Sequence, residues 1–317
     1  MSNEKLKKIT GGFGKFSRKN IPFLGLIAIS IFVGIASPNF FTEYNIISVL
    51  RQASINGLLA FGLTVVIISG GIDLSVGSIL AVSSMVMALM INSGTNPFIA
   101  MIVALLIGAI VGIINGVLIA KGKLQPFIAT LGTMMVFRGA TLYISNGVPA
   151  SKLGEGLIGW IGRGYFLGIP IPVYVLVIIF LIFHYFLRNT TFGKRIYAIG
   201  GNEKAARLSG VNVEKNLIYI YMISGILAAL AGIILTSRVD SAVPTAGQGY
   251  ELTAIAAAVI GGTSLAGGKG RAVGTIVGAL IIAVIVNGLN LVGTSPYLQQ
   301  IITGLVIVFA VIADRKK

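Results

Sequence analysis

Residues 98–120 hold no charged side chain and one amide, Asn115. A run of about 20 apolar residues is the length at which one α-helix crosses a hydrocarbon layer ~30 Å thick. Comparable runs recur along the chain, at 21–37, 52–70, 74–92, 98–120, 126–145, 172–188, 216–237, 250–265, 271–292 and 297–313. Proline or glycine marks most of the joins, as at Pro38, Pro97, Pro126, Pro170 and Pro172. Only 10% of the 317 residues are charged, against roughly 25% in soluble domains. A chain of this size cannot hide so much apolar surface from water, so its natural solvent is lipid. The expected fold is an all-α integral membrane protein of about ten transmembrane helices. Residues 1–20 read as a basic cytoplasmic segment and 21–317 as one transmembrane domain. The first run resembles a signal peptide without a clear small-x-small cleavage site, and is read as an uncleaved span.

The net charge of +15 reflects membrane orientation. With the N-terminus in the cytoplasm, the outer loops hold only Lys152, Arg163 and Arg238. Arg51 falls at an outer span end and Arg138 within a span; every other Lys and Arg lies on the inner side. This asymmetry predicts an even number of crossings and cytoplasmic termini. The cations lie between spans, not on one face of a soluble domain, which argues against a nucleic-acid partner. Cysteine is absent and His184 is the one histidine, so neither disulfides nor a Cys/His metal site is expected. The external segment 146–171 carries Trp160, Tyr165 and Phe166. It reads either as an interfacial anchor or as a lid.

Ionisable groups near the spans are few and informative. Asp73 follows Gly70-Gly71 in ISGGIDLSVGS, a pattern that predicts an interrupted helix. It reads either as a cap on the next helix or as a transport group. Arg138 lies inside the fifth run and needs water or an anion; a structural ion pair with Asp73 is the expected answer. Glu251 reads as a cap. Asn56, Thr64, Asn115, Asn287 and Asn290 join Asp73 as candidate pathway residues, since amides and hydroxyls can bond a polar neutral solute. Helix–helix bonding is the structural reading of each. Gly108, Gly112 and Gly116, and Gly274 with Gly278, predict faces of close helix contact.

GGTSLAGGKGR, residues 261–271, superficially suggests a phosphate loop, but Gly268 stands where lysine is required. The segment reads as a tight turn. It also echoes residues 70–79 weakly. No nucleophile–base set, catalytic carboxylate pair or metal cluster can be assembled, which disfavours an intramembrane enzyme.

Residues 188–216 interrupt the apolar pattern with Arg188, Lys194, Arg195, Lys204, Arg207 and Lys215. Asn202 is placed to cap a short helix through Glu203, Lys204, Ala205, Ala206, Arg207 and Leu208, and Gly210 to end it. Such an element suits docking by a soluble partner.

GGIDLSVGS, FIATLGTMMVFRG, YAIGGNEKAARLSG, TSRVDSAVPTAGQGYEL and AAAVIGGTSLAGGKGRAVGT, in this order, resemble the permease subunits of bacterial ribose ABC importers, over nearly the whole chain. Permeases for other monosaccharides look similar. Thr253 departs from the pattern, standing where such permeases usually carry Asp. The resemblance implies a fold similar to the vitamin B12 importer permease, a homodimer, and location in the bacterial inner membrane. It implies a separate ATPase with two fused nucleotide-binding halves, which would hold ATP and Mg, and an extracytoplasmic sugar-binding protein. It makes residues 188–216 the coupling segment, with Gly201, Asn202, Glu203, Ala205, Ala206, Arg207 and Gly210 at the ATPase contact. The rival reading is an ion-coupled secondary transporter of a small polar solute, for which Asp73 is the one serious carboxylate.

Overall fold

The computed structural model describes residues 21–315. The basic segment 1–20 and the final two lysines lie outside the described residues. The helices are α1 (Ile21–Ala36), α2 (Glu43–Ile68), α3 (Val76–Asn92), α4 (Pro97–Ala120), α5 (Pro126–Ser145), α6 (Leu157–Arg163) and α7 (Ile171–Asn189). They continue as α8 (Thr191–Gly201), α9 (Glu203–Leu208), α10 (Val213–Val239), α11 (Tyr250–Ile260), α12 (Ala272–Leu291) and α13 (Pro296–Arg315). Six of them, α2, α4, α5, α7, α10 and α12, are long and apolar enough to cross a membrane. Helices α1, α3, α11 and the apolar part of α13 are shorter. Four two-residue strands, β1 (Ala150–Ser151), β2 (Tyr165–Phe166), β3 (Ile169–Pro170) and β4 (Ser241–Ala242), form antiparallel pairs β1–β4 and β2–β3.

Local chemistry sets the helix ends. Pro97 opens α4, and the Asn96 side chain accepts the Phe98 N–H at 2.9 Å, satisfying one orphan donor of the first turn. Asn146 and Asp240 close α5 and α10 in the left-handed conformation, at φ 49° and 58°.

Helix α2 is the central pillar, buried from Ala53 to Ile68, with α7, α10, α11 and α12 packed around it. The expected glycine faces form. A Cβ on Gly108 or Gly112 would strike the backbone of Gly225 or Tyr221, and one on Gly116 that of Ile218, so α4 and α10 touch main chain to main chain. Gly274 and Gly278 meet Gly261 and Ala257 in the same way, joining α12 to α11.

The strand pairs and α6 gather at one end of the bundle, and α8, α9 and the 261–271 turn at the other. Lys152 N bonds Asp240 O at 3.2 Å and Arg163 lies 3.7 Å from Asp240, tying the 146–171 segment to the end of α10. At the opposite end Gly268 N donates to Ile68 O at 2.8 Å.

Two sequence boundaries are corrected and one helix is added. The second run begins at Glu43 rather than 52. Residues 188–216 hold the expected short helix as α9 and, before it, a second helix, α8, that the residue pattern did not signal. The run 250–265 yields only the 11-residue α11. At 1.5 Å per residue that is about 16 Å, half of a ~30 Å core. The Gly261-Gly262 pair stops the helix, with Gly262 at φ +91°.

Candidate functional site

Between α2 and α3 the chain leaves helical geometry, with Gly70 at φ +87°. Asp73 is wholly buried there. Its Oδ1 accepts the Ser75 N–H at 3.0 Å and the Ser75 hydroxyl at 2.6 Å; its Oδ2 accepts the Ser224 hydroxyl of α10 at 2.8 Å. The chain of bonds continues. Asn115 Nδ2 of α4 donates to Ser75 Oγ at 2.8 Å, and Thr133 Oγ1 of α5 donates to Asn115 Oδ1 at 2.7 Å. Tyr221 and Thr130 donate to the Ile72 carbonyl at 3.4 and 3.3 Å. One broken segment is thus stitched to α4, α5 and α10, and the carboxylate sits at the N-terminus of α3, where the helix dipole favours it.

The expected Asp73–Arg138 ion pair is not made. Arg138 Nη1 instead donates to the carbonyls of Pro244 and Ala246 at 2.8 and 2.7 Å. These belong to a turn-rich segment, 243–249, that runs from β4 to α11. Glu251, in the first turn of α11, accepts the Gly249 N–H at 3.2 Å, as Asp73 accepts from Ser75. Gly247, at φ +74°, lies directly on Gly77 of α3, so the N-terminal ends of α3 and α11 meet inside the bundle, each with its own acid.

The other pathway candidates have partners within the chain. Thr64 and Thr275 share a 2.7 Å hydroxyl bond between α2 and α12. Asn45 and Asn287 exchange two amide bonds, at 3.0 and 2.7 Å. Asn56 accepts from Gln52 at 3.4 Å, and Asn290, at the surface, from Gln299 at 2.8 Å. Thr64 and Asn287 thus bridge α2 and α12, and Asn290 bridges α12 and α13, whereas Asn56 bonds within α2.

At the opposite end, Asn202 Oδ1 accepts the Ala205 N–H at 3.0 Å and Gly210 turns at φ +82°, as the residue pattern predicts for α9. Ala206 packs with Ile199 and Val213 in a small apolar cluster, while Leu208 is 90% exposed. Arg207 reaches Glu203 at 3.3 Å and Glu214 at 3.5 Å, and Glu214 reaches Lys123 at 3.2 Å. Beneath this chain of charges lies a cleft of about 340 Å³, whose walls include Gly70, Gly71, Leu124, Glu203, Arg207 and Tyr221. It connects α9 to the broken segment that carries Asp73.

Sequence reasoning missed Ser75, Thr133, Tyr221 and Ser224 as partners of this segment. Ser75 lies inside the GGIDLSVGS motif and was within reach. Ser224 is 151 positions from Asp73 and has no local signature.

A bundle of apolar helices with an interrupted helix at its core is an arrangement that membrane transporters use, and the similar proteins are transport permeases. The chain belongs to the family described as branched-chain amino acid transport system / permease component, which matches residues 45–311. It is 56% identical to the ribose import permease protein RbsC of Bacillus subtilis, over 93% of this chain and 92% of that protein. Identity to the Escherichia coli K12 protein of the same name is 51%, over 94% and 92%. The D-allose transport system permease protein AlsC of Escherichia coli K12 is 41% identical over 92% and 90%. No solved structure matches.

Proposed function

We propose that this chain is the membrane subunit of an ATP-driven importer that carries a monosaccharide, D-ribose, into the cytoplasm by alternating access. The step in identity carries the choice of sugar: 56% and 51% to ribose permeases, against 41% and 40% to permeases named for D-allose and L-arabinose. The reading includes about ten crossings in the inner membrane, with cytoplasmic termini and a fold like that of the vitamin B12 importer permease. The shorter helices α1, α3 and α13, and α11 together with the 243–249 turns that precede it, supply the crossings beyond the six long ones. A second copy of the chain completes the path. An ATPase with two fused nucleotide-binding halves holds ATP and Mg, and an extracytoplasmic sugar-binding protein delivers the solute.

Coupling is assigned to α9 and its flanks, from Gly201 through Asn202, Glu203, Ala205, Ala206 and Arg207 to Gly210. Three features support this. The helix is capped and short, it presents Leu208 to solvent, and it stands over the cleft whose floor is the broken segment. A push on α9 is passed through Arg207–Glu214–Lys123 to the α4–α5 turn, and through Ala206 against Ile199 to α8, whose Gly200 lies on the Ile68 backbone at the end of α2. No covalent chemistry takes place on this chain. Asn290 keeps its place in the proposed path because it is exposed. Asp73 spends both carboxylate oxygens on serine donors, which argues against an ion-coupled carrier.

The test is ribose uptake by membrane vesicles containing the permease, the ATPase and the binding protein. Uptake is expected only with ATP, and replacement of residues 201–210 by a Gly/Ser linker is expected to abolish it while leaving the protein in the membrane. Accumulation driven by an ion gradient without ATP refutes the importer reading; normal uptake through the linker variant refutes the coupling assignment.

A further inference from the structure

Two independent distances place the 243–249 segment deep in the membrane. Counted from the α9 end, the α11 N-terminus at Tyr250 is 11 residues, about 16 Å, up its helix. Arg138, which grips Pro244 and Ala246, is a dozen residues, about 18 Å, from the start of α5 at that same end. Both depths are near the middle of a ~30 Å core. From β4 at the far end the chain therefore dips to mid-depth as turns, with Gly247 and Gly249 in the left-handed region, and continues as a half-length helix.

Such backbone is tolerated at that depth only where protein covers it or water reaches it. Here Val243, Thr245 and Gln248 are exposed on the surface of this chain. Among the described residues, neither the Thr245 hydroxyl nor the Gln248 amide has a hydrogen-bond partner. In hydrocarbon both groups would stand unsolvated. The adjoining surface of α5 presents Met135 and, at Gly139, open space. A surface that joins an apolar wall to unpaired amide and hydroxyl groups has the composition of a site for a polar neutral ligand.

We propose that the 243–249 segment lines a water-filled path at mid-membrane, and that Thr245 and Gln248 hydrogen-bond the hydroxyls of the passing sugar. Arg138 is a positioning residue that holds the segment by its carbonyls. The proposal rests on the transport reading above and deepens it by naming the sugar contact.

The chain lacks cysteine, so a single introduced cysteine is the one thiol on it, and labelling is read on this subunit after separation from its partners. Thr245→Cys, Gln248→Cys and, as a lipid-facing control, Leu181→Cys (57% exposed on α7) are exposed to a charged, membrane-impermeant thiol reagent in the assembled complex. At least one of the first two is expected to react tenfold faster than Leu181→Cys; both reacting no faster than the control overturns the water-lined path. Maximal ribose uptake by Gln248→Leu is expected to fall at least tenfold at equal membrane abundance, with Gln248→Asn recovering part of it. Unchanged uptake by Gln248→Leu overturns the sugar contact. The wild type separates the two levels: if it imports ribose with ATP while these residues prove inert, this inference alone fails. If wild type does not import ribose, the functional reading fails first.

Discussion

Two identical serine deletions should move the stability of this protein in different directions. Ser224 and Ser83 are both buried, at 1% and 0% exposure. The Ser224 hydroxyl donates to Asp73 Oδ2 at 2.8 Å, whereas Ser83 Oγ has no partner among the described residues. A hydrogen bond to a charged group contributes about 1.5–3 kcal/mol, and side-chain bonds within membrane proteins reach about 1.7 kcal/mol. Removal of the Ser224 hydroxyl also leaves a carboxylate oxygen in the interior with one donor fewer. Ser224→Ala is therefore expected to cost about 1.5–2 kcal/mol. Ser83→Ala removes a buried hydroxyl that bonds nothing, and is expected to be neutral or to stabilise by up to about 1 kcal/mol. At roughly 2–4 °C per kcal/mol for a chain of about 200 residues, and at the low end of that range here, the two variants should melt about 3–6 °C apart. The assay is the fraction of detergent-solubilised protein that stays monodisperse after heating, with wild type alongside. Equal midpoints for the two variants, or a lower midpoint for Ser83→Ala, would refute the claim that the Asp73 bonds hold the broken segment.

Arg138→Met should leave the protein in the membrane but reduce solute uptake at least tenfold, because the Pro244 and Ala246 carbonyls lose their common donor; Arg138→Lys, a single point donor, should fall between. Gly112→Val should prevent accumulation of folded protein, since its side chain meets the Tyr221 and Met222 backbone and overpacking of that kind costs about 1–3 kcal/mol or more. Gly132→Ala, which faces open space, should be neutral; immunoblots of membranes read both. Asn45→Leu and Asn287→Leu should each lower the melting midpoint, while the double variant should lose less than their sum. Each single change strands an amide that the other residue satisfied, and additive losses would count against the pair.

The interactions that resisted sequence reading share a cause. An arginine inside an apolar run signals that a partner exists, and a nearby aspartate is the natural guess. The partner is instead the backbone of residues 244 and 246, and main-chain carbonyls leave no trace in a residue string. Asn115 shows the same limit: its polarity suggested a pathway, but its amide bonds Ser75 and Thr133, partners that no local pattern marks.

The amino-acid sequence by itself determined the solvent, the helical class, the glycine contact faces, the break after Gly70, the Asn202 cap and the membership of a permease family. These depend on composition, on runs of about 20 residues, or on side chains three or four positions apart, all of which are local. Only the tertiary structure decided that Asp73 belongs to Ser75 and Ser224, that α11 stops at 11 residues, and that Gly247 comes to lie on Gly77 of α3. Those outcomes depend on which distant donors and carbonyls arrive together when the helices pack. A buried charge accepts any suitable donor or acceptor, so geometry makes the choice.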